Sequence, residues 1–161
     1  MGTIVVVTSP NWLDEREQEV WRGLMAMNMQ LDSRLRRSLV QRSGLSDADY
    51  AILVYLSEAP EGRLRAFELV KGLGWEKSRL SHQLRRMEGR GLVGKGTCDT
   101  DRRGSFVVLT DAGRTAIEAA APHHVADVRR WFFDPLSPEQ LDALQEVTAT
   151  VQAHLDADDP E

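Results

Sequence analysis

Residues 66–93 read AFELVKGLGWEKSRLSHQLRRMEGRGLV, and the fold is decided there. Ala66 to Leu73 has the length of two helical turns, and Gly74 makes a turn. A second helix runs from about Glu76 to Gly89, and Gly91 stops it. At about 100° per residue, Leu80, Leu84 and Met87 fall in a narrow apolar stripe that must pack on a core. The opposite side carries Ser78, His82, Arg85 and Gly89, flanked by Arg79, Ser81 and Arg86. Beyond Gly91, Leu92-Val93 begins a strand. Ser105-Phe106-Val107-Val108-Leu109 is β-branched and apolar, and reads as its antiparallel partner. Two short helices across a tight turn, followed by a hairpin, make a helix-turn-helix with a wing.

Outward from this centre the chain is helical. From about Asp14 to Arg42, the residues Val20, Leu24, Met27, Leu31, Leu35 and Leu39 recur at three- and four-residue steps. Ser46 caps a helix with Asp49 at its third position, and the body 50–56 is apolar almost all round, which places it at the centre of the domain. Arg63-Leu64-Arg65 is a short extended piece. Thr110 caps a helix reaching about Phe132, and Pro122 is expected to kink or break it. Ser137-Pro138-Glu139-Gln140 supplies a cap, a first-turn proline and a third-position Gln for a last helix to about Leu155. The expected fold class is mainly α with a small β-wing. Its parts are a flexible arm at 1–11, a helical dimerisation region at 12–45 and 111–155, a winged helix-turn-helix at 46–110 and an acidic tail at 156–161. The long first helix, with Trp12, Trp21 and the Met25/Met27/Met29 run, and the last helix, with Leu141, Leu144, Val147, Val151 and Leu155, carry apolar stripes that call for another surface.

The 161 residues hold 20 Lys+Arg and 25 Asp+Glu, a formal net charge of −5. That sum argues against a nucleic-acid partner, but the charge is segregated. Between Arg63 and Arg103 there are eleven basic and five acidic residues, so this segment is +6 and the rest of the chain is −11. The basic part coincides with the helix-turn-helix and hairpin, the footprint of a phosphate-binding surface. In such proteins the second helix enters the major groove. Ser78, Arg79, Ser81 and His82 are placed to meet base edges, and Arg85 and Arg86 to reach phosphates; Arg65 and Lys77 complete the basic surface. At the hairpin tip, an arginine of Asp101-Arg102-Arg103 can enter a narrow minor groove, and Asp101 can hold it by a bidentate pair.

These residues resemble the MarR-type winged-helix transcriptional regulators. Residues Glu76 to Leu84 look like the family's recognition helix, and Met87-Glu88-Gly89-Arg90-Gly91-Leu92-Val93 resembles its L-E-x-x-G-L-V helix end, with Met87 for Leu. Asp101-Arg102-Arg103 followed by Leu109-Thr110-Asp111-Ala112-Gly113 matches its D-x-R … L-T-x-x-G wing, and residues 133–141 its approach to the last helix. The resemblance runs from about Trp12 to Leu155. It implies a homodimer whose first and last helices interleave, bound to a palindromic double-stranded DNA operator, usually as a repressor released by a small phenolic or anionic ligand. It also implies that Arg103 is the minor-groove arginine and Asp101 its orienting partner. Glu76 departs from the family's usual Ser, Thr or Asp cap.

Other readings carry less. Trp21, Met25 and Tyr50 are candidates for an effector pocket between the first two helices, against a plain core role. His123, His124 and Asp127 suggest a metal site, but adjacent histidines point different ways on a helix, so no metal or cofactor is expected. Cys98 is the single cysteine and reads as an incidental thiol in a reducing compartment. No phosphate-binding glycine loop, nucleophile elbow or zinc-binding H-E-x-x-H is present, which disfavours an enzyme. No apolar run approaches a membrane span and the start is unlike a secretory signal, so the expected location is cytoplasmic. The alternative function is a dimeric helical module whose basic wing binds an acidic protein partner.

Overall fold

The computed structural model describes residues 11–96 and 106–158. Of these, the residues up to Arg34 form one compact unit and those from Leu35 onward a second. The first helix, α1, spans Glu15–Ser43. A reciprocal box opens it: the Asp14 N–H donates to Glu17 Oε2 at 2.8 Å and the Glu17 N–H to Asp14 Oδ1 at 2.8 Å. In the N-terminal unit, Val20, Trp21 and Leu24 are exposed on this helix.

In the second unit, Gly44 at φ 69° ends α1, and Ser46 caps α2, Asp47–Glu58, in the box expected with Asp49. Ile52, Leu53 and Leu56 are fully buried, so α2 is the centre of the core, as its all-round apolar body requires. Strand β1, Arg63–Arg65, leads into α3, Ala66–Leu73. Next come α4, Lys77–Gly89, strand β2, Val93–Gly96, and strand β3, Phe106–Leu109. The sheet order is β1-β3-β2, antiparallel throughout, with Leu64 opposite Val107 and Lys95 opposite Val107 on the other side. The expected hairpin is therefore the outer part of a three-stranded sheet. The short extended piece before α3 is its third strand, and β3 lies in the middle.

The turn between α3 and α4 is set by Gly74, whose φ of 62° a side chain would disfavour. The Trp75 N–H donates to Val70 O at 3.2 Å, closing the end of α3. Helix α5, Asp111–Val128, begins with a latch. Thr110 Oγ1 accepts from the Gly113 N–H at 3.0 Å. The same hydroxyl lies 2.6 Å from Gly91 O and 3.0 Å from Leu92 O, within donating distance of two successive carbonyls of the turn beyond α4. A Cβ on Gly113 would stand 2.0 Å from Leu92 O. Of the kink or break expected at Pro122, the break does not occur: α5 continues through it to Val128. A proline removes one i→i−4 bond, and buried Ile117 and Ala120 before it and Asp127 after it hold both halves in place. The regular helix gives way instead at a π-helical turn, Arg129–Phe133.

The last helix, α6, spans Pro138–Asp158. It opens as expected: the Gln140 N–H donates to Ser137 Oγ at 3.2 Å and the Ser137 N–H to Gln140 Oε1 at 2.9 Å. No residue of α6 is buried. Leu141, Val147, Val151 and Leu155 are all exposed. Among the described residues, no helix is long and apolar enough to cross a membrane.

Candidate nucleic-acid interface

Helix α4 is anchored on one side and bare on the other. Leu80, Leu84 and Met87 are buried as the periodicity requires, and so is Gln83. Lys77, Ser78, Arg79, Ser81, His82, Arg85 and Arg86 are all exposed. Every α4 residue expected to touch DNA therefore lies on the solvent side of one helix. Lys77, Arg79, Arg85 and Arg86 make no ion pair among the described residues, so their charge is available to phosphate. Glu76 stands at the cap position and makes no side-chain cap bond, in keeping with its poor fit to that role.

The position of α4 is set by a buried carboxylate. Asp49, 2% exposed, accepts from the Ser46 N–H at 2.9 Å, from Gln83 Nε2 at 2.6 Å and from Arg90 Nη1 at 2.6 Å. Arg90 Nη2 also donates to Gly44 O at 3.2 Å. One side chain of α2 thus ties the turn after α1 to the middle and end of α4. Burial alone would raise the Asp49 carboxyl, but the Ser46 N–H and the Arg90 guanidinium outweigh it and hold it below the ordinary carboxylate value. The sequence shows Asp49 as a cap residue only. Its second role was not visible, because nothing in one helix says which distant guanidinium will meet it. Arg90, counted with the basic segment, is partly exposed, but its guanidinium is spent on Asp49 and the Gly44 carbonyl.

Two aromatic rings hold further arginines. The Arg63 and Arg65 guanidiniums lie 5.0 Å and 4.8 Å from the centre of the Phe106 ring. Arg79 lies 4.2 Å from the centre of the Trp75 ring. Arg63 also pairs with Glu61, and Lys95 with Glu88 at 3.3 Å. Arg65, expected to touch DNA, is half-buried at the start of α3. Asp101, Arg102, Arg103 and Cys98 lie outside the described residues, as do residues 1–10 of the expected arm.

A cavity of about 310 Å³ opens between the C-terminal part of α1 and α5. Ser38, Arg42, His123, His124 and Asp127 give it a polar lining, and Leu39 and three alanines an apolar one. The Ser38 hydroxyl donates to Asp127 Oδ2 at 2.5 Å, and Arg42 Nε donates to Ser38 Oγ at 3.2 Å. His124 packs against Tyr50 with ring centres 4.4 Å apart. Burial lowers the His124 imidazole below its ordinary value, and Asp127 opposes this only in part. Of the three expected pocket residues, Tyr50 stands beside this cavity through His124. Trp21 lines a surface groove of the N-terminal unit, together with Leu13, Val20 and Leu24. Met25 belongs to that unit as well. No group of three metal-binding side chains is assembled among the described residues.

Comparison with known proteins agrees with this geometry. The model of the MarR family matches residues 43–104, from the end of α1 to the region between β2 and β3. The chain is similar to AbsC, a MarR family transcriptional regulator from Streptomyces coelicolor: 43% identity, a TM-score of 0.85, and 91% of this chain and 98% of that one covered. It is similar to Sco3205, a MarR family transcriptional regulator of the same organism solved in complex with DNA, at 40% identity and a TM-score of 0.85, covering 91% and 92% of the two chains. It is also 25% identical over 143 residues to the transcriptional repressor MprA of Escherichia coli (strain K12), covering 86% of this chain and 79% of that protein.

Proposed function

The chain belongs to the MarR family of transcriptional regulators, and from that premise we propose that it is a cytoplasmic homodimer that represses transcription by binding a palindromic DNA operator. The observation that carries the reading is the exposed face of α4. Ser78, Arg79, Ser81, His82, Arg85 and Arg86 offer donors for base edges and phosphates on a helix whose other face is fixed by Leu80, Leu84, Met87 and Gln83. The DNA complex of Sco3205, at 40% identity, supports it. The wing residues Asp101, Arg102 and Arg103 enter on their resemblance alone, with Arg103 assigned to the minor groove and Asp101 to orienting it.

The homodimer rests on α6. An isolated helix of this length is marginal in water unless an apolar face is covered, and no residue of α6 is buried, with Leu144 alone of its apolar stripe half-covered. A second copy would bury Leu141, Val147, Val151 and Leu155, and two-fold symmetry would set two α4 helices about one DNA turn apart. Val151→Asp is expected to shift the sedimenting species from twice 18.1 kDa toward the single chain; an unchanged dimer would move the interface elsewhere. The cavity between α1 and α5 is where a small aromatic or anionic effector would enter, held by Arg42 and the two histidines.

Selection of bound sequences from random duplex DNA tests the reading. A palindrome should emerge that outcompetes random duplex by about 10³ or more, with affinity falling linearly in log K against log salt. A chain that selects no sequence, and instead captures an acidic protein, would be the helical interaction module with a basic wing. His82→Ala should alter the preference among half-site sequences. A uniform loss over all sequences would make His82 a phosphate or packing residue.

A further inference from the structure

We propose that Trp75 is a positioning residue for DNA readout: its indole face holds the Arg79 guanidinium in place before DNA arrives. The inference rests on the DNA-binding reading and goes beyond it by naming what orients one contact. Trp75 is itself well placed to serve as a fixed platform. It packs against the core cluster. Its N–H is tied to Val70 O at 3.2 Å, and the left-handed Gly74 sets the turn that delivers it. Four residues later, in the first turn of α4, stands Arg79, exposed, its guanidinium 4.2 Å from the ring centre. That is within the range of a cation–π contact, and tryptophan is the aromatic best suited to it.

The consequence follows from side-chain entropy. An exposed arginine samples many rotamers and must lose them on binding. The N-terminal residues of a recognition helix are those that meet base edges, where a planar fork needs a defined direction. The contact with Trp75 removes part of that cost beforehand, and a cation–π contact consumes none of the guanidinium's N–H donors. Lys77, Arg85 and Arg86 have no aromatic partner among the described residues, which suits contacts to phosphate, where direction matters less. The sheet repeats the device: Phe106 holds Arg65, an expected DNA contact outside α4.

A double-mutant cycle with Trp75→Leu and Arg79→Ala tests this, read as affinity for the duplex that the wild-type protein selects and as base preference at each operator position. Trp75→Leu keeps apolar bulk in the core and removes the ring face. It is expected to weaken binding about two- to tenfold and to relax preference at the same base pair as Arg79→Ala. It should add nothing further in the Arg79→Ala background. Trp75→Phe, which retains a ring face, should restore most of the loss. Equal losses from Trp75→Leu with and without Arg79 would overturn the proposal and leave Trp75 as packing only, whatever the melting temperature does. A wild-type protein that selects no duplex would overturn the DNA-binding reading and this inference with it.

Discussion

Gly113→Ala is expected to lower the stability of the fold by about 3 kcal/mol, a fall of about 6–12 °C in melting temperature. In an ordinary helix the same change is favourable, because alanine loses less backbone entropy than glycine. The sign reverses here because the new methyl would stand 2.0 Å from Leu92 O and 2.8 Å from Leu109 Cδ1. The first of these is backbone, held by the Thr110 hydroxyl and by the sheet, so it has little room to give. The start of α5 would have to lift away from the turn after α4, opening the Thr110 latch as it does. Gly89→Ala is the matched control. It sits at the end of α4 with nothing within 4 Å of a built Cβ, and a gain of about 0.5 kcal/mol is expected. Paired thermal melts decide the matter. If Gly113→Ala melts with the wild type, the close approach is relieved by a small shift and the latch contributes little.

Asp49→Ala is expected to cost about 3 kcal/mol and to weaken DNA binding even where the variant is fully folded. Removing the carboxylate strips the Gln83 amide of its partner in a buried site and leaves Arg90 with only the Gly44 carbonyl. Arg90 is partly exposed and can return to water, which keeps the loss at the lower end for a broken buried pair. The pH dependence gives a second reading. Because the folded carboxyl titrates below its ordinary value, its contribution is complete above that value and is lost as pH falls through the folded one. The stability gap between wild type and Asp49→Ala should therefore narrow in acid. A gap that stays constant with pH would show that Asp49 acts through packing and not through its charge.

The helices, the central position of α2 and the exposed face of α4 were legible because each follows from local periodicity and caps. Ser46, Thr110 and Ser137 announce their helices by residue type, and Leu80, Leu84 and Met87 announce their face by spacing. What could not be read depends on partners far along the chain. Asp49 meets Gln83 and Arg90, Ser38 meets Asp127, and Arg63-Leu64-Arg65 finds β3 more than forty residues later. The L-T-x-x-G pattern could be matched as a motif, but its reason appears only in three dimensions: Thr110 bridges two carbonyls and Gly113 leaves room for one of them. Pro122 does not break α5, because a local rule is weighed against the packing of Ile117, Ala120 and Asp127 on either side of it.

The bare length of α6 bears on the life of the protein in a cell. In the proposed homodimer a second copy covers this helix and ties folding to mass action, so each tenfold fall in chain concentration removes about 1.4 kcal/mol from the assembled state. Dilution should lower the melting temperature, and scarce, unpaired chains should be the ones proteases reach first. The amount of regulator made would then set the durability of each molecule as well as operator occupancy, so that falling synthesis clears the protein faster than growth alone dilutes it.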